Sequence, residues 1–235
     1  MPTESVLELQ AVRFGWEAGH ELIHIDHFAI ASGESVFLQG PSGSGKSTLL
    51  GLIGGVVSPQ AGEITIRGVK LVSQVPAARD RIRADHLGII FQQFNLLPYL
   101  TVIDNITLPC LFSRVRLARS RQHYGDPRKE ALTLLDRLGL PQAVVQQPVS
   151  KLSVGQQQRV AVARALIGGP SLIIADEPTS ALDTENRDRF IELLNQQRRE
   201  LNSSLLFVSH DPTLAKHFDR VEAIDQINAI RVAES

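Results

Sequence analysis

Gly40-Pro41-Ser42-Gly43-Ser44-Gly45-Lys46-Ser47-Thr48 fits the pattern G-x-x-x-x-G-K-[ST]. It follows a short apolar run, Ser35 to Gln39, that reads as a strand. It opens a helix expected from Lys46 to about Ile53, and strand before and helix after are the context the pattern requires. The glycines let the backbone wrap closely round a phosphate. Amide N–H groups and the positive end of the helix then face the anion. Lys46 has the reach for the β- and γ-phosphates of a nucleotide, and the Ser47 hydroxyl can ligate Mg²⁺. The bland alternative is a glycine-rich turn with no ligand, and the flanking elements argue against it.

Moving outward, Leu7 to Phe14 and Glu21 to Ile30 show partial period-two alternation and predict strands. Pro59 to Gly62 reads as a turn, and Glu63 to Arg67 and Leu87 to Phe91 as further strands. From Asn95 to about Ile167 the pattern turns helical. Thr101 to Phe112, Lys129 to Leu138 and Ser153 to Ile167 are the helical candidates, the second with Leu132, Leu135 and Leu138 on one face and the third with Val160, Ala163 and Ile167. Strand character returns at Leu172 to Ala175 and Leu205 to Val208, apolar throughout as buried parallel strands should be, with a helix expected from Arg187 to Leu201. The pattern implies an α/β core, residues 1–93 and 168–235, carrying a helical insert at about 94–167.

Leu172-Ile173-Ile174-Ala175-Asp176-Glu177 places two carboxylates at the C-terminal end of a buried strand, the edge where open α/β sheets bind ligands. Asp176 can hold the Mg²⁺ shell, and Glu177 can accept a proton from an attacking water. Adjacent acids could equally end an ordinary strand; the phosphate loop upstream favours the functional reading. Leu152-Ser153-Val154-Gly155-Gln156 then precedes an amphipathic helix. Ser153 is a good N-cap, and a helix end opened by Ser and Gly is a second anion site.

On these residues the chain resembles the ABC ATPases, whose signature is Leu-Ser-Gly-Gly-Gln. Gln92, after Ile89-Ile90-Phe91, matches the Q-loop glutamine. Ser180-Ala181-Leu182-Asp183 matches the D-loop, and His210, after Leu206-Phe207-Val208-Ser209, the switch histidine. Trp16 stands where an aromatic ring usually stacks on adenine. The resemblance covers nearly the whole chain and implies a P-loop NTPase (RecA-like) core with an antiparallel β subdomain and an inserted α-helical subdomain. It implies ATP and Mg²⁺ as cofactors, with Ser47, Gln92 and Asp176 toward the metal and Lys46, Gln92, Glu177 and His210 in catalysis. It further implies two chains closed head to tail. One supplies Gly40 to Thr48, Gln92, Asp176, Glu177 and His210, the other Ser153, Gly155 and Gln156, with Asp183 also at the nucleotide. Phe91-Gln92-Gln93-Phe94-Asn95-Leu96-Leu97-Pro98, then Leu100-Thr101-Val102 and Asn105-Ile106, resembles the lipoprotein-release and macrolide-export branch. There are two departures: Val154 replaces the first signature glycine, and Ser180-Ala181 stands where that branch more often has Gly-Asn. Val disfavours positive φ, so residue 154 is expected in ordinary backbone.

Composition bounds the rest. The 235 residues are enough to bury a core, and the formal net charge of -1 gives no footprint for nucleic acid. Cys110 is the sole cysteine, so no internal disulfide forms and a reducing compartment is expected. The N-terminal residues lack a signal-peptide pattern. The most membrane-like run, Leu49 to Val57, is far shorter than the roughly 20 residues of a span. The chain is therefore expected in the cytoplasm, on the inner face of the membrane through an integral permease subunit that carries the pathway. A phosphate-loop kinase has no use for Leu152 to Gln156, and the DNA-repair relatives carry long coiled-coil insertions that are absent here. His20, His24 and His27 invite a metal reading, but in a strand His27 faces away from the other two. The basic run Arg114, Arg116, Arg119 and Arg121 could meet lipid headgroups or a membrane subunit, or form a solvated helix face or loop.

Overall fold

A computed structural model describes residues 4–17, 19–180, 182 and 184–230. Two sheets organise it. In the first, β1 (Ser5–Phe14) lies between β2 (Ile23–Ala31) and β4 (Ala61–Ile66), and β5 (Val69–Lys70) extends the edge, all antiparallel. Leu7, Leu9, Val12 and Phe14 of β1 face the core. The alternation slips by one after Leu9 because Ala11 takes φ 48° and the register with β4 shifts there. Gly62 sits opposite at φ 84°, where a Cβ would meet the Ala11 carbonyl oxygen at 2.3 Å, so no larger residue fits.

The second sheet is parallel, in the order β6 (Leu87–Ile90), β7 (Leu172–Asp176), β8 (Ser204–Ser209), β3 (Ser35–Gln39) and β9 (Arg220–Ala223). Its inner strands are covered on both faces, which explains their unbroken apolar runs. Val36 and Leu38 of β3 point toward the first sheet and join Leu9, Ile25, Leu49 and Leu52 in one core. Phe37, between them, points to the other side and joins Phe207, Ile173 and the helices.

The helices are α1 (Lys46–Ile53), α2 (Pro76–His86), α3 (Val102–Phe112), α4 (Arg114–Tyr124), α5 (Pro127–Arg137), α6 (Val154–Leu166), α7 (Thr184–Glu200) and the short α8 (Ile224–Ile227). α3 to α6 fill the chain between β6 and β7. Thr101, Ser113, Asp126 and Ser153 cap them, each accepting a backbone N–H through its side chain. Among the described residues no helix is long and apolar enough to cross a membrane.

α2 falls in a stretch to which the sequence reading assigns no element; it buries none of its residues fully, so no apolar stripe marks it in the sequence. Other expectations are corrected. Leu132 is 40% exposed; α5 packs through Ala131, Leu134 and Leu135. β2 begins at Ile23, so His20 lies in the preceding turn, bridged to Glu17, and shares no strand face with His24. The basic run is helical but not uniformly solvated. Arg116 is buried, donating from Nε to Ile167 O at 2.7 Å, from Nη2 to Ala165 O at 2.6 Å and from Nη1 to Leu87 O at 3.3 Å. Burial pulls its pKa down to about 10, so it stays cationic at neutral pH. It fastens α4 to the end of α6 and cannot meet a membrane.

Candidate nucleotide site

Parallel pairing puts the C-terminal ends of four strands on one edge. Gln39 of β3 registers with Ser209 of β8, Val208 with Asp176 of β7, and Ala175 with Ile90 of β6. The loops that follow carry Gly40 to Thr48, Glu177, His210 and Gln92, so residues far apart in the chain converge.

The 40–48 loop returns tightly into α1. Gly43 and Gly45 take φ 81° and 92°, with Gly45 as the helix N-cap. At Gly40 a Cβ would fall 2.3 Å from the Ile224 side chain. Ser44 braces the turn by donating its hydroxyl to Pro41 O at 2.8 Å. α1 has no capping side chain and no acid in its first turn, which leaves its leading N–H groups for an external anion. Lys46 is 8% exposed and bends back over the loop, donating to Gly40 O and Pro41 O, each at 2.7 Å. Desolvation lowers its pKa, against the pull of Glu177 and Asp176. Its charge therefore sits on the loop's inner surface.

Asp176 ends β7 partly buried; desolvation and then the neighbouring Glu177 raise its pKa, and Lys46 opposes them. Glu177 turns the chain out of the strand at φ 45° and ties its N–H to Val208 O at 3.0 Å. Its carboxylate is held from two sides, by Ser209 Oγ at 3.3 Å and His210 Nδ1 at 2.9 Å. A carboxylate only accepts, so Nδ1 carries the proton and Nε2 of the exposed imidazole points elsewhere.

Gln92 is exposed just beyond β6. Ser153 and Gln156 form a reciprocal capping box at the start of α6, Ser153 Oγ accepting from Gln156 N at 3.3 Å and Gln156 Oε1 from Ser153 N at 3.0 Å. Val154 lies in the first helical turn, in ordinary backbone as expected, and is 55% exposed; a Cβ on Gly155 would meet nothing within 4 Å. Trp16 is 66% exposed and edge-on to the buried Phe14, centroids 5.0 Å apart. Of the D-loop, Ala181 and Asp183 lie outside the described residues.

Sequence reading assigned no role to Ser209, Gln158 or Arg164. Gln158 is buried and donates to Pro178 O at 2.7 Å, binding α6 to the chain just after Glu177. Arg164 donates to Asn95 O and Phe94 O. Their signal is a long-range contact, with the Glu177 carboxylate for Ser209 and with backbone carbonyls for the other two, which no local pattern reveals.

The family profile described as ABC transporter matches residues 23–180. The chain is 41% identical over 199 residues to an uncharacterized ABC transporter ATP-binding protein of Mycobacterium tuberculosis, covering 84% of this chain and 77% of that one. It is 38% identical over 222 residues to the macrolide export ATP-binding/permease protein MacB of Sodalis glossinidius, covering 93% of this chain and 33% of that longer protein. Among solved structures, a dimeric post-hydrolysis state of the ATP-binding cassette MJ0796 bound to ADP and Pi superposes with a TM-score of 0.80 at 33% identity, over 97% of both chains. The chain belongs to the ABC transporter family, as an ATP-binding and ATP-hydrolysing cassette.

Proposed function

We propose that this cassette works as a pair of identical chains closed head to tail on two ATP molecules, driving a separate membrane subunit in export or in lipid or lipoprotein extraction. The observation that carries this reading is the separation of two anion-receptive helix ends within one chain. The α1 end lies inside the 40–48 loop beside Asp176, Glu177 and His210. The α6 end presents exposed Ser153 and Val154, with open space over Gly155, to a neighbour. The dimeric state of MJ0796 and the similarity to a macrolide export protein support the pairing and the direction.

In this reading residues 40–48 cradle the triphosphate, Trp16 stacks on adenine, and Lys46 places its charge on the β- and γ-phosphates. Glu177 takes the proton of the attacking water, while His210 steadies that carboxylate through Nδ1 and faces the γ-phosphate with Nε2. Ser153, Gly155 and Gln156 of the partner complete the phosphate shell. Ser47, Gln92 and Asp176 fit Mg²⁺: they offer few, hard oxygen donors and a single carboxylate, which suits an ion that also keeps waters and phosphate oxygens. Bound there, it neutralises phosphate charge. ATP acts as glue, and loss of the shared γ-phosphate contact lets the pair open.

The helical subdomain, about 94–167, moves on the core of 1–93 and 168–235. Between α2 and α3 a groove of about 470 Å³ runs past Phe91, Leu108, Pro109 and Phe112. It adjoins Gln92 and suits an apolar segment of the membrane subunit, which holds the cassette at the cytoplasmic face.

The test is Glu177→Gln with and without Ser153→Arg, followed by size exclusion with light scattering in Mg²⁺-ATP. Glu177→Gln alone should shift to dimer. Adding Ser153→Arg should block the shift while the monomer still binds ATP. Full dimerisation of the double variant overturns the composite site.

A further inference from the structure

Arg164 stands near the C-terminal end of α6 and grips the loop that leaves β6. Its Nη1 donates to Asn95 O at 2.6 Å and its Nη2 to Phe94 O at 2.5 Å. Those consecutive residues take φ 47° and 59°, a region that side chains other than glycine rarely adopt. Two carbonyls in a fixed turn thus meet a planar fork of donors, a match that a lysine ammonium does not reproduce. Phe94 itself is buried, at 8% exposed. Burial lowers the Arg164 pKa, so the guanidinium is held here against desolvation.

The far end of the loop is fastened as well. Asn105 of α3, fully buried, accepts from Leu97 N at 2.9 Å and donates to Leu97 O and Thr101 O, each at 3.1 Å. The segment that begins at Gln92 is therefore tied at both ends and has little freedom to absorb a displacement locally. α6 is a continuous helix from Val154 to Leu166. Its N-cap Ser153 precedes Arg164 by eleven residues, about three turns and ~16 Å along the axis.

We propose that Arg164 is a positioning residue that links the two nucleotide sites of the pair. It makes α6 move with the Gln92 loop, so the phosphate state at one site sets where Ser153 and Gly155 stand against the nucleotide held by the partner. This rests on the head-to-tail reading above. Asn95 and Arg164 also line the groove beside α3, so a segment seated there presses on the same pair of residues.

The experiment uses the full chain carrying Arg164→Lys or Arg164→Gln, with Ser153→Arg as control. ATP hydrolysis is followed against ATP concentration, ADP affinity of the monomer by equilibrium dialysis, and folding by circular dichroism and melting temperature. The wild type should hydrolyse cooperatively, with a Hill coefficient between one and the number of sites. Both Arg164 variants should keep the ADP affinity but lose cooperativity, and turnover should fall about tenfold, within the usual range of coupling between sites. Arg164→Lys with wild-type cooperativity and turnover overturns the proposal. So does a parallel loss of melting temperature and ADP affinity in both variants, which makes Arg164 a structural clamp only. If Ser153→Arg keeps cooperative turnover, or the wild type shows none, the head-to-tail reading falls and this inference with it. If Ser153→Arg abolishes cooperativity and Arg164→Lys does not, only the role of Arg164 falls.

Discussion

His210 Nδ1 lies 2.9 Å from Glu177 Oε1, joining the ends of two neighbouring parallel strands through one hydrogen bond. Ser209 holds the other carboxylate oxygen, so the pair acts as one unit. Glu177→Gln should bind Mg²⁺-ATP and hydrolyse it about 10²–10⁴-fold more slowly, the usual loss for a general base. His210→Ala should slow hydrolysis too, and the double variant should add little beyond the larger single effect. Steady-state phosphate release measures all three. Near-normal turnover of Glu177→Gln removes the general-base assignment, and full additivity separates the two residues.

Tyr99, Leu111 and Phe112 are 75%, 78% and 72% exposed. Phe112 lines the groove beside α3 and Leu111 precedes it in the same helix; adjacent exposed apolar groups of this size suit a partner surface. Tyr99→Ser and Phe112→Ser should reduce co-purification with the proposed membrane subunit while sparing basal ATPase and melting temperature. Leu97 is a poorer probe, because it is partly buried and its backbone is bonded to Asn105. Unchanged co-purification in both variants would place the docking surface elsewhere.

Trp16 is the sole tryptophan, so its emission reports one position. Phe14, the neighbouring aromatic ring, is 7% exposed and covered edge-on by Trp16, which leaves Trp16 as the ring open to a base. Mg²⁺-ATP should change the emission saturably, and GTP comparably, since stacking reads shape. Trp16→Ala should raise the ATP concentration for half-maximal hydrolysis; stacking on a base contributes about 1–3 kcal/mol in nucleic-acid systems. A silent titration together with unaltered kinetics in the alanine variant refutes the stacking role.

Arg116 satisfies three backbone carbonyls from a buried position. Arg116→Met should leave those acceptors unpaired and destabilise the fold by about 2 kcal/mol or more. Gly168→Ala should act at the same junction, since a Cβ there would stand 2.5 Å from the Arg116 Cβ on backbone at φ 67°. Urea unfolding followed by circular dichroism reads both. A midpoint within error of wild type for Arg116→Met would show that water replaces its bonds.

Much of the fold was legible because its signals are local. The loop at 40–48 needs glycine at left-handed φ, the run Leu172 to Ala175 needs apolar residues on both faces, and Ser153 needs a side-chain oxygen at a helix start. Each is a requirement of a few consecutive residues, and it shows in their spacing. The elements that escaped lack such a stamp. α2 buries no residue fully, and β9 is a four-residue edge strand whose place beside β3 depends on pairing across the chain.

The sequence by itself determined the phosphate loop, the acidic strand end, the signature helix and the order of the motifs, because each is short-range chemistry written in adjacent residues. Only the tertiary structure decided that Gln92, Glu177 and His210 share one edge, since that follows from the strand order β6-β7-β8-β3-β9. It also decided that Arg116 in a basic run is buried while Leu132 in an apolar one is exposed. Arg164 found its two carbonyls the same way. Burial and long-range hydrogen bonding depend on what packs opposite a residue, and the identity of that neighbour is set by the whole chain.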